Sequence, residues 1–306
     1  MDSIILIKQL FVLFAMIATG YCAFRLKFFG KIGQHEISTL IAKILTPAFI
    51  LSSVTGEYPE NISEMMRQSA VLAVFYLAVP IAGSLIYVLI RRPARQKRYI
   101  DLLVLSFTNV GFFAVPIVRG VFGDSFTVYL IPYILGFNFM VYTLGTYYAI
   151  RTGDGTAAFS LIKMLNPGTI AAVAAMLVFL TGLRLPSPVV SVLKYFGDTG
   201  VPLSMLLIGA SLAQLDLKEV ILSADNWIVT IVKMLIIPAA GILLVRNLPF
   251  EKTALAIFLI EISMPAASLI GVLAEEYGRK GNEANKMIAL TTLASAVTIP
   301  LLSLLL

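Results

Sequence analysis

The side chains in this sequence that could do chemistry are few, and they sit inside long apolar runs. Glu261 lies four residues before Pro265, Lys233 five before Pro238 and Lys43 four before Pro47. Asp198 opens the seventh apolar span within Gly-Asp-Thr-Gly, while Asn109 and Asn138 are amides set among Val, Phe and Met. Ionisable groups in membrane-length segments are costly enough to count as functional candidates. Glu261, a carboxyl in a low-dielectric site one turn from a proline, suits proton coupling; otherwise it is a hydrogen-bonded brace. Lys233 either pairs with Glu261, attracts an anion or braces the fold. Lys43 either carries charge on a pathway or snorkels to the cytoplasmic interface from its nearby helix end. Asp198 either binds a cation or caps a helix, and Asn138 either faces a pathway or bonds a neighbouring helix.

Other chemistries are excluded by what is missing. There is one histidine, His35, and one cysteine, Cys22. A His-rich metal site and a His-based hydrolase are therefore ruled out, as is a disulfide framework, and Cys22 is expected to be a small core residue. No Ser/His pair, HExxH or close pair of intramembrane aspartates is present, so the chain is not expected to be an enzyme. No cofactor is implied; H+ and Na+ are the candidate coupling ions.

The elements that must position these groups are membrane helices. The chain has 306 residues, 59% hydrophobic and 13% charged, with a mean hydropathy of +0.92. A soluble domain carries about twice that charged fraction. Ten apolar spans fall at about 4–24, 37–54, 68–90, 100–120, 126–150, 168–183, 189–214, 227–245, 253–274 and 284–305. The loops after the first and third spans are basic (Arg25, Lys27, Lys31; Arg91, Arg92, Arg95, Lys97, Arg98), while the loop after the second carries Glu57, Glu60 and Glu64. The positive-inside rule puts the basic loops in the cytoplasm and both termini outside. It also explains the net charge of +6 by topology rather than by nucleic-acid binding. Asp2 stands where a basic signal-peptide region would be expected, so no cleavable signal is expected. Lys8 and Trp227 are expected to anchor the interfaces.

The stretch Ser106 to Asp124, SFTNVGFFAVPIVRGVFGD, is apolar but carries Gly111, Pro116 and Gly120, so the helix is expected to unwind near Val115 and Pro116. Leu259 to Gly271, with Met264 and Pro265, is of the same kind. Pro47, Pro80 and Pro116 have counterparts in Pro202, Pro238 and Pro265 at offsets of 155, 158 and 149 residues. Three ordered matches suggest duplication, and five spans per copy make the copies inverted. The expected organisation is a first repeat over 1–150, a short cytoplasmic linker over 151–167 and a second repeat over 168–306. Two unwound crossings should then lie side by side at mid-membrane, presenting half-helix N-termini suited to an anionic group. Asn109 and the backbone beside Val115, Pro116, Met264 and Pro265 are the expected substrate contacts.

These residues resemble the auxin efflux carrier family of membrane transporters. Asn109, Pro116 and Arg119-Gly120-Val121-Phe122-Gly123 resemble its first crossover, and Met264-Pro265 leading to Ala274-Glu275-Glu276-Tyr277 its second. Asp198-Thr199-Gly200 leading to Ile208-Gly209-Ala210-Ser211-Leu212-Ala213 is similar to its Leu-Gly-Ala-Ser-Leu-Ala signature. The resemblance implies an all-α protein of ten helices in two inverted five-helix repeats, similar to sodium/proton antiporters and bile-acid symporters. Helices four and nine would be broken, scaffold and transport domains interleaved, movement elevator-like and the assembly a homodimer. The chain departs from the pattern at Ala114, where the family has glycine, and it lacks the acidic residue of the plant members' third helix. The microbial branch, whose members include malate and malonate carriers, is the nearer match. The expected function is therefore secondary transport of a small organic carboxylate across the cell membrane; the rival is a channel or receptor on the same scaffold. A channel would want a continuous polar stripe, whereas here the polar groups gather around two breaks.

Overall fold

In the computed structural model, residues 3–52, 54–55, 62–153, 167–278 and 281–305 are described. Most of the expected linker, 154–166, lies outside them, as do Glu57, Glu60, Arg279 and Lys280. The described chain is helical: α1 Ser3–Arg25, α2 Lys31–Leu40, α3 Thr46–Ser52, α4 Ile62–Arg91, α5 Arg95–Ser106, α6 Val115–Phe122, α7 Ile131–Met140 and α8 Thr146–Thr152. There follow α9 Pro167–Thr181, α10 Ser187–Ala213, α11 Leu217–Leu222, α12 Ala224–Ile231, α13 Ile237–Val245, α14 Lys252–Ile262, α15 Ser268–Gly278 and α16 Gly281–Ser303. Six continuous helical stretches are long and apolar enough to cross a membrane, and Val110–Phe122 and Pro167–Thr181 are shorter apolar helices. Large apolar side chains such as Phe11, Ile90 and Leu180 point outward, as a hydrocarbon solvent permits.

Several of the α-helices are joined by wide π-turns, and proline explains most of them. Ile41–Leu45 runs into Pro47, Val110–Ala114 into Pro116, and Val232–Ile236 into Pro238. In an α-helix each ring would strike the carbonyl four residues back, which belongs to Lys43, Phe112 or Met234. All three residues lie inside the wider register, which moves that carbonyl aside. Pro80, Pro202 and Pro300 are accommodated within continuous α-helix. Proline therefore does not break the chain at Pro116 as expected, whereas Pro265 does lie in an opening, between α14 and α15. The first break lies at Phe107–Asn109, upstream of Val115 and Pro116, and those two residues start the regular helix α6.

The helices α1 and α10 pack at backbone distance. A Cβ on Gly209 would strike the backbone of Ile17 and Tyr21, and one on Gly20 the backbone of Leu206. Small residues at such a crossing are what lets two membrane helices approach closely. Cys22, expected in the core, is instead exposed on the outer side of α1. Its neighbourhood in sequence is apolar because it faces lipid, and composition alone does not separate a lipid-facing residue from a buried one. Gly209→Val should destabilise the protein by at least the ~1–3 kcal/mol typical of overpacking, because backbone cannot yield as a side chain can. A lowered thermal midpoint in detergent checks this, with Gly30→Val, which meets open space, as the control.

Candidate functional site

The chain opens twice, and the two openings pair. Phe107 is extended (φ −115°, ψ 121°) and Asn109 leaves the helical region (φ −83°, ψ 72°). The second opening covers Ser263 to Ala267, between α14 and α15. Thr108 and Ala266 form an antiparallel bridge. The Asn109 N–H donates to the Pro265 carbonyl at 2.8 Å, and the Ala267 N–H donates to the Phe107 carbonyl at 3.1 Å. Each opening thus satisfies backbone groups that the other leaves bare, a requirement of a medium without water. Side chains complete the crossing. Tyr76 and Thr108 share a hydroxyl hydrogen bond at 2.5 Å, and the Ala266 N–H donates to Thr291 Oγ1 at 3.2 Å.

Charge is placed to suit the broken helices. Lys233, 1% exposed, donates from Nζ to the Leu105 carbonyl at 3.0 Å, at the C-terminal end of α5 where the carbonyls lose their helical partners. A cation there offsets the negative end of the helix dipole. On the other side of the break, the Asn109 side chain accepts from the Phe112 N–H at 3.3 Å and so caps the start of the second half-helix.

A cavity of about 130 Å³ lies against the crossing. The first residues of both outgoing half-helices line it, Val110 to Phe112 and Ala267 to Leu269. Opposite them are Ala42, Leu45, Thr46, Phe49 and Ile50 near α3, Gly168 of α9, and Gly197, Gly200 and Val201 of α10. Residues of α7 and the turn after it, Ile134, Phe137, Asn138 and Tyr142, close one flank. Among the described residues, no Lys, Arg or His lines this space.

The structure sorts the sequence candidates. Asn109 and Asn138 both line the cavity, and the Asn138 Nδ2 also donates to the Ile134 carbonyl at 2.9 Å. Val115 and Met264 are fully buried in the apolar core, and neither they nor Pro116 and Pro265 line the cavity. Proline marked the neighbourhood, while the residues just outside each break form the wall. Lys233 and Glu261 make no ion pair; the lysine is taken by Leu105, because its π-turn carries it to the end of α5. Glu261 is fully buried, and neither carboxyl oxygen has a hydrogen-bond partner among the described residues, which does not match a brace. Asp198 caps no helix, since α10 begins at Ser187; it instead accepts from the Arg119 guanidinium, which Asp124 also engages. Lys43 is exposed and outside the cavity lining, as its snorkelling alternative has it.

Sequence reasoning missed Asp101, Thr108 and Tyr76. Asp101 follows a run of basic residues and looks like an interfacial charge, yet it is fully buried. Thr108 and Tyr76 carry no sequence signal, because their pairing joins residues 32 positions apart.

Lys233→Met should cost roughly 1.5–3 kcal/mol, the worth of a hydrogen bond from a charged group. The thermal midpoint should fall in Lys233→Met and hold in Lys43→Met; equal midpoints would show that the ammonium does not support α5.

Two archaeal proteins are similar along nearly their whole lengths. An uncharacterized transporter of Methanothermobacter thermautotrophicus is 27% identical over 296 residues, covering 94% of each chain. One of Methanocaldococcus jannaschii is 26% identical over 296 residues, again 94% of each. The chain also matches the membrane transport protein family over residues 5–160 and 156–303. With its long apolar helices and its water-free pairing of two broken ones, this multi-pass membrane protein belongs to the membrane transport protein family, the family of the auxin efflux carriers.

Proposed function

We propose that this protein is a secondary active transporter of a small organic monocarboxylate. The observation that carries the proposal is the meeting of two half-helix N-termini at one cavity. Each N-terminus is worth roughly half an elementary charge, so the pair balances about one carboxylate. A second carboxylate, as in malate or malonate, would find no cation in the lining. The remaining wall is apolar and aromatic, and an apolar cavity of about 150 Å³ admits a benzene ring. The substrate is therefore an anion with one carboxylate and an apolar body of about that size, its head on Asn109, Asn138 and the backbone donors.

The crossing itself supports an inverted repeat of ten helices. An offset of 158 residues, the one that relates Pro80 to Pro238, carries Phe107, Thr108 and Asn109 onto Pro265, Ala266 and Ala267. Under that exchange the bond from Asn109 to Pro265 becomes the bond from Ala267 to Phe107, and the Thr108–Ala266 bridge maps onto itself. A local twofold axis relates equivalent residues in this reciprocal way. Contacts between helix ends fit the same topology: Arg91 with Asp225 and Lys286 with Glu219 join ends assigned to the cytoplasm.

On this reading α1, α2, α3, α9 and α10 form the scaffold and the crossing belongs to the moving body, with the substrate between them. Gly168, Gly197 and Gly200 line the cavity from the scaffold side, and Gly197 also lets α10 pack against the α3 backbone at Phe49. Both termini are outside, and two copies associate through the scaffold. Glu261, buried with no hydrogen-bond partner among the described residues, carries the proton coupling.

A ligand that binds only the folded protein raises its apparent stability, by about 2.7 kcal/mol at a hundredfold excess over Kd. In a thermal-shift series, benzoate should stabilise the protein where malonate does not; the reverse would assign a dicarboxylate. Asn109→Ala should abolish benzoate uptake into proteoliposomes at unchanged protein yield, and normal uptake would reject the site. Glu261→Gln should make uptake indifferent to a pH gradient, and an undiminished response removes that role.

A further inference from the structure

The mechanism above leaves one buried carboxyl among the described residues unused. Asp101 stands on α5, the half-helix that leads into the first break, and its side chain is completely shielded from solvent. Neither oxygen has a hydrogen-bond partner among the described residues. Buried carboxylates that serve as braces are hydrogen-bonded, often several times over. Among the described residues, the one ion pair it makes is with the Lys97 ammonium, 3.8 Å from Oδ1.

Asp101 is nevertheless connected to the surface. Lys97 Nζ is also 3.9 Å from Asp225, and Asp225 accepts from Arg91 at 3.0 Å. Side-chain exposure falls from 54% at Asp225 through 34% at Lys97 to zero at Asp101, so alternating charges lead inward from solvent to a dead end. The groups acting on the Asp101 carboxyl are Lys97 on its own helix, Arg91 and the Tyr87 phenol from α4, and Asp225 from α12. The helices α8, α15 and α16, which pack on the other flanks of α5, contribute Tyr148, Leu273 and Met287 to the apolar cluster there. One helical turn further on, about 6 Å along the axis, the Lys233 ammonium holds the Leu105 carbonyl. The half-helix thus ends on a carbonyl held by a lysine amine and carries one carboxyl that no hydrogen bond among the described residues locks in its charged form.

We propose that Asp101 is a second proton-binding site of the transport cycle besides Glu261, exchanging its proton with water admitted at the α4–α5 end, where Lys97, Asp225 and Arg91 lead to the surface. The step is a proton transfer between water and Asp101 Oδ, with no other bond made or broken. It sets the net charge of the half-helix beside Lys233, and hence what α5 carries as it moves. Its use in transport rests on the carrier reading above; the proton site itself does not.

Two measurements on the full-length protein test it. An infrared titration of the purified protein without substrate should show a protonated-carboxyl band that Asp101→Asn removes and whose midpoint Lys97→Met displaces. A band untouched by both substitutions overturns the site. In proteoliposomes with benzoate as probe, Asp101→Asn should keep counterflow exchange but lose, by tenfold or more, accumulation driven by a pH gradient. If both activities persist, the role in coupling falls. If both vanish, Asp101→Glu decides: restored accumulation with a displaced pH profile supports the proposal, and no restoration makes the residue structural. Failure of the unsubstituted protein to exchange benzoate would sink the monocarboxylate reading, and the infrared titration would then judge Asp101 alone.

Discussion

Two reciprocal hydrogen bonds between Asn109 and Pro265 and between Ala267 and Phe107 are the contact on which the rest of this structure depends. Opening a helix inside a bilayer exposes donors and acceptors that no water can meet, and each orphaned group costs several kcal/mol. One broken helix alone would be untenable there. Two broken helices become tolerable when each presents its extended segment to the other, with Tyr76 and Thr291 closing on the flanks. The crossing therefore constrains α4, α5, α14, α15 and α16 at once. It leaves the outgoing half-helices pointing their N-termini into a common space.

Charge follows from that arrangement. The positive ends of two half-helices face the cavity, which holds no side-chain cation of its own among the described residues. The negative end of α5 is met by Lys233, which anchors the half-helix rather than the substrate. On the proposed carrier reading, separating these tasks keeps the attraction for an anion modest. A full lysine charge in a dry pocket would hold an anion too tightly to release it, whereas backbone dipoles and two amides offer a weaker grip. The buried carboxyls of Asp101 and Glu261 lie away from the cavity lining, where a change in their charge acts on the helices rather than directly on the ligand.

The opposite wall meets different needs. Gly20 and Gly209 let α1 and α10 touch backbone to backbone, and Gly197 lets α10 approach the α3 backbone at Phe49 in the same way. One helix thus spends its glycines on two faces for close packing, against α1 and against α3. The cluster of Arg119, Asp124 and Asp198 ties α10 to the end of α6, on the far side of the cavity from Lys97 and Asp225 on the proposed topology.

Much of this was legible in the chain itself. Apolar runs of membrane length and the basic loops set the class and the expected topology, because hydrocarbon admits little else. The ordered prolines pointed to two special segments, and Asn109 and Asn138, two of the candidate side chains, line one cavity. The second opening contains the expected Met264 and Pro265, but where the first helix opens was not legible: Pro116 is absorbed by a π-turn, and α5 ends earlier because a distant segment stands ready to bond Asn109 and Phe107. Nor could the sequence assign Lys233, Asp101 or Asp198, whose partners lie on other helices. Composition and periodicity determined that this chain is a bundle of membrane helices with two weak points, since those properties are local and additive. Only the tertiary structure decided which backbone groups those weak points exchange and which charges are buried, since both depend on contacts between residues far apart in sequence.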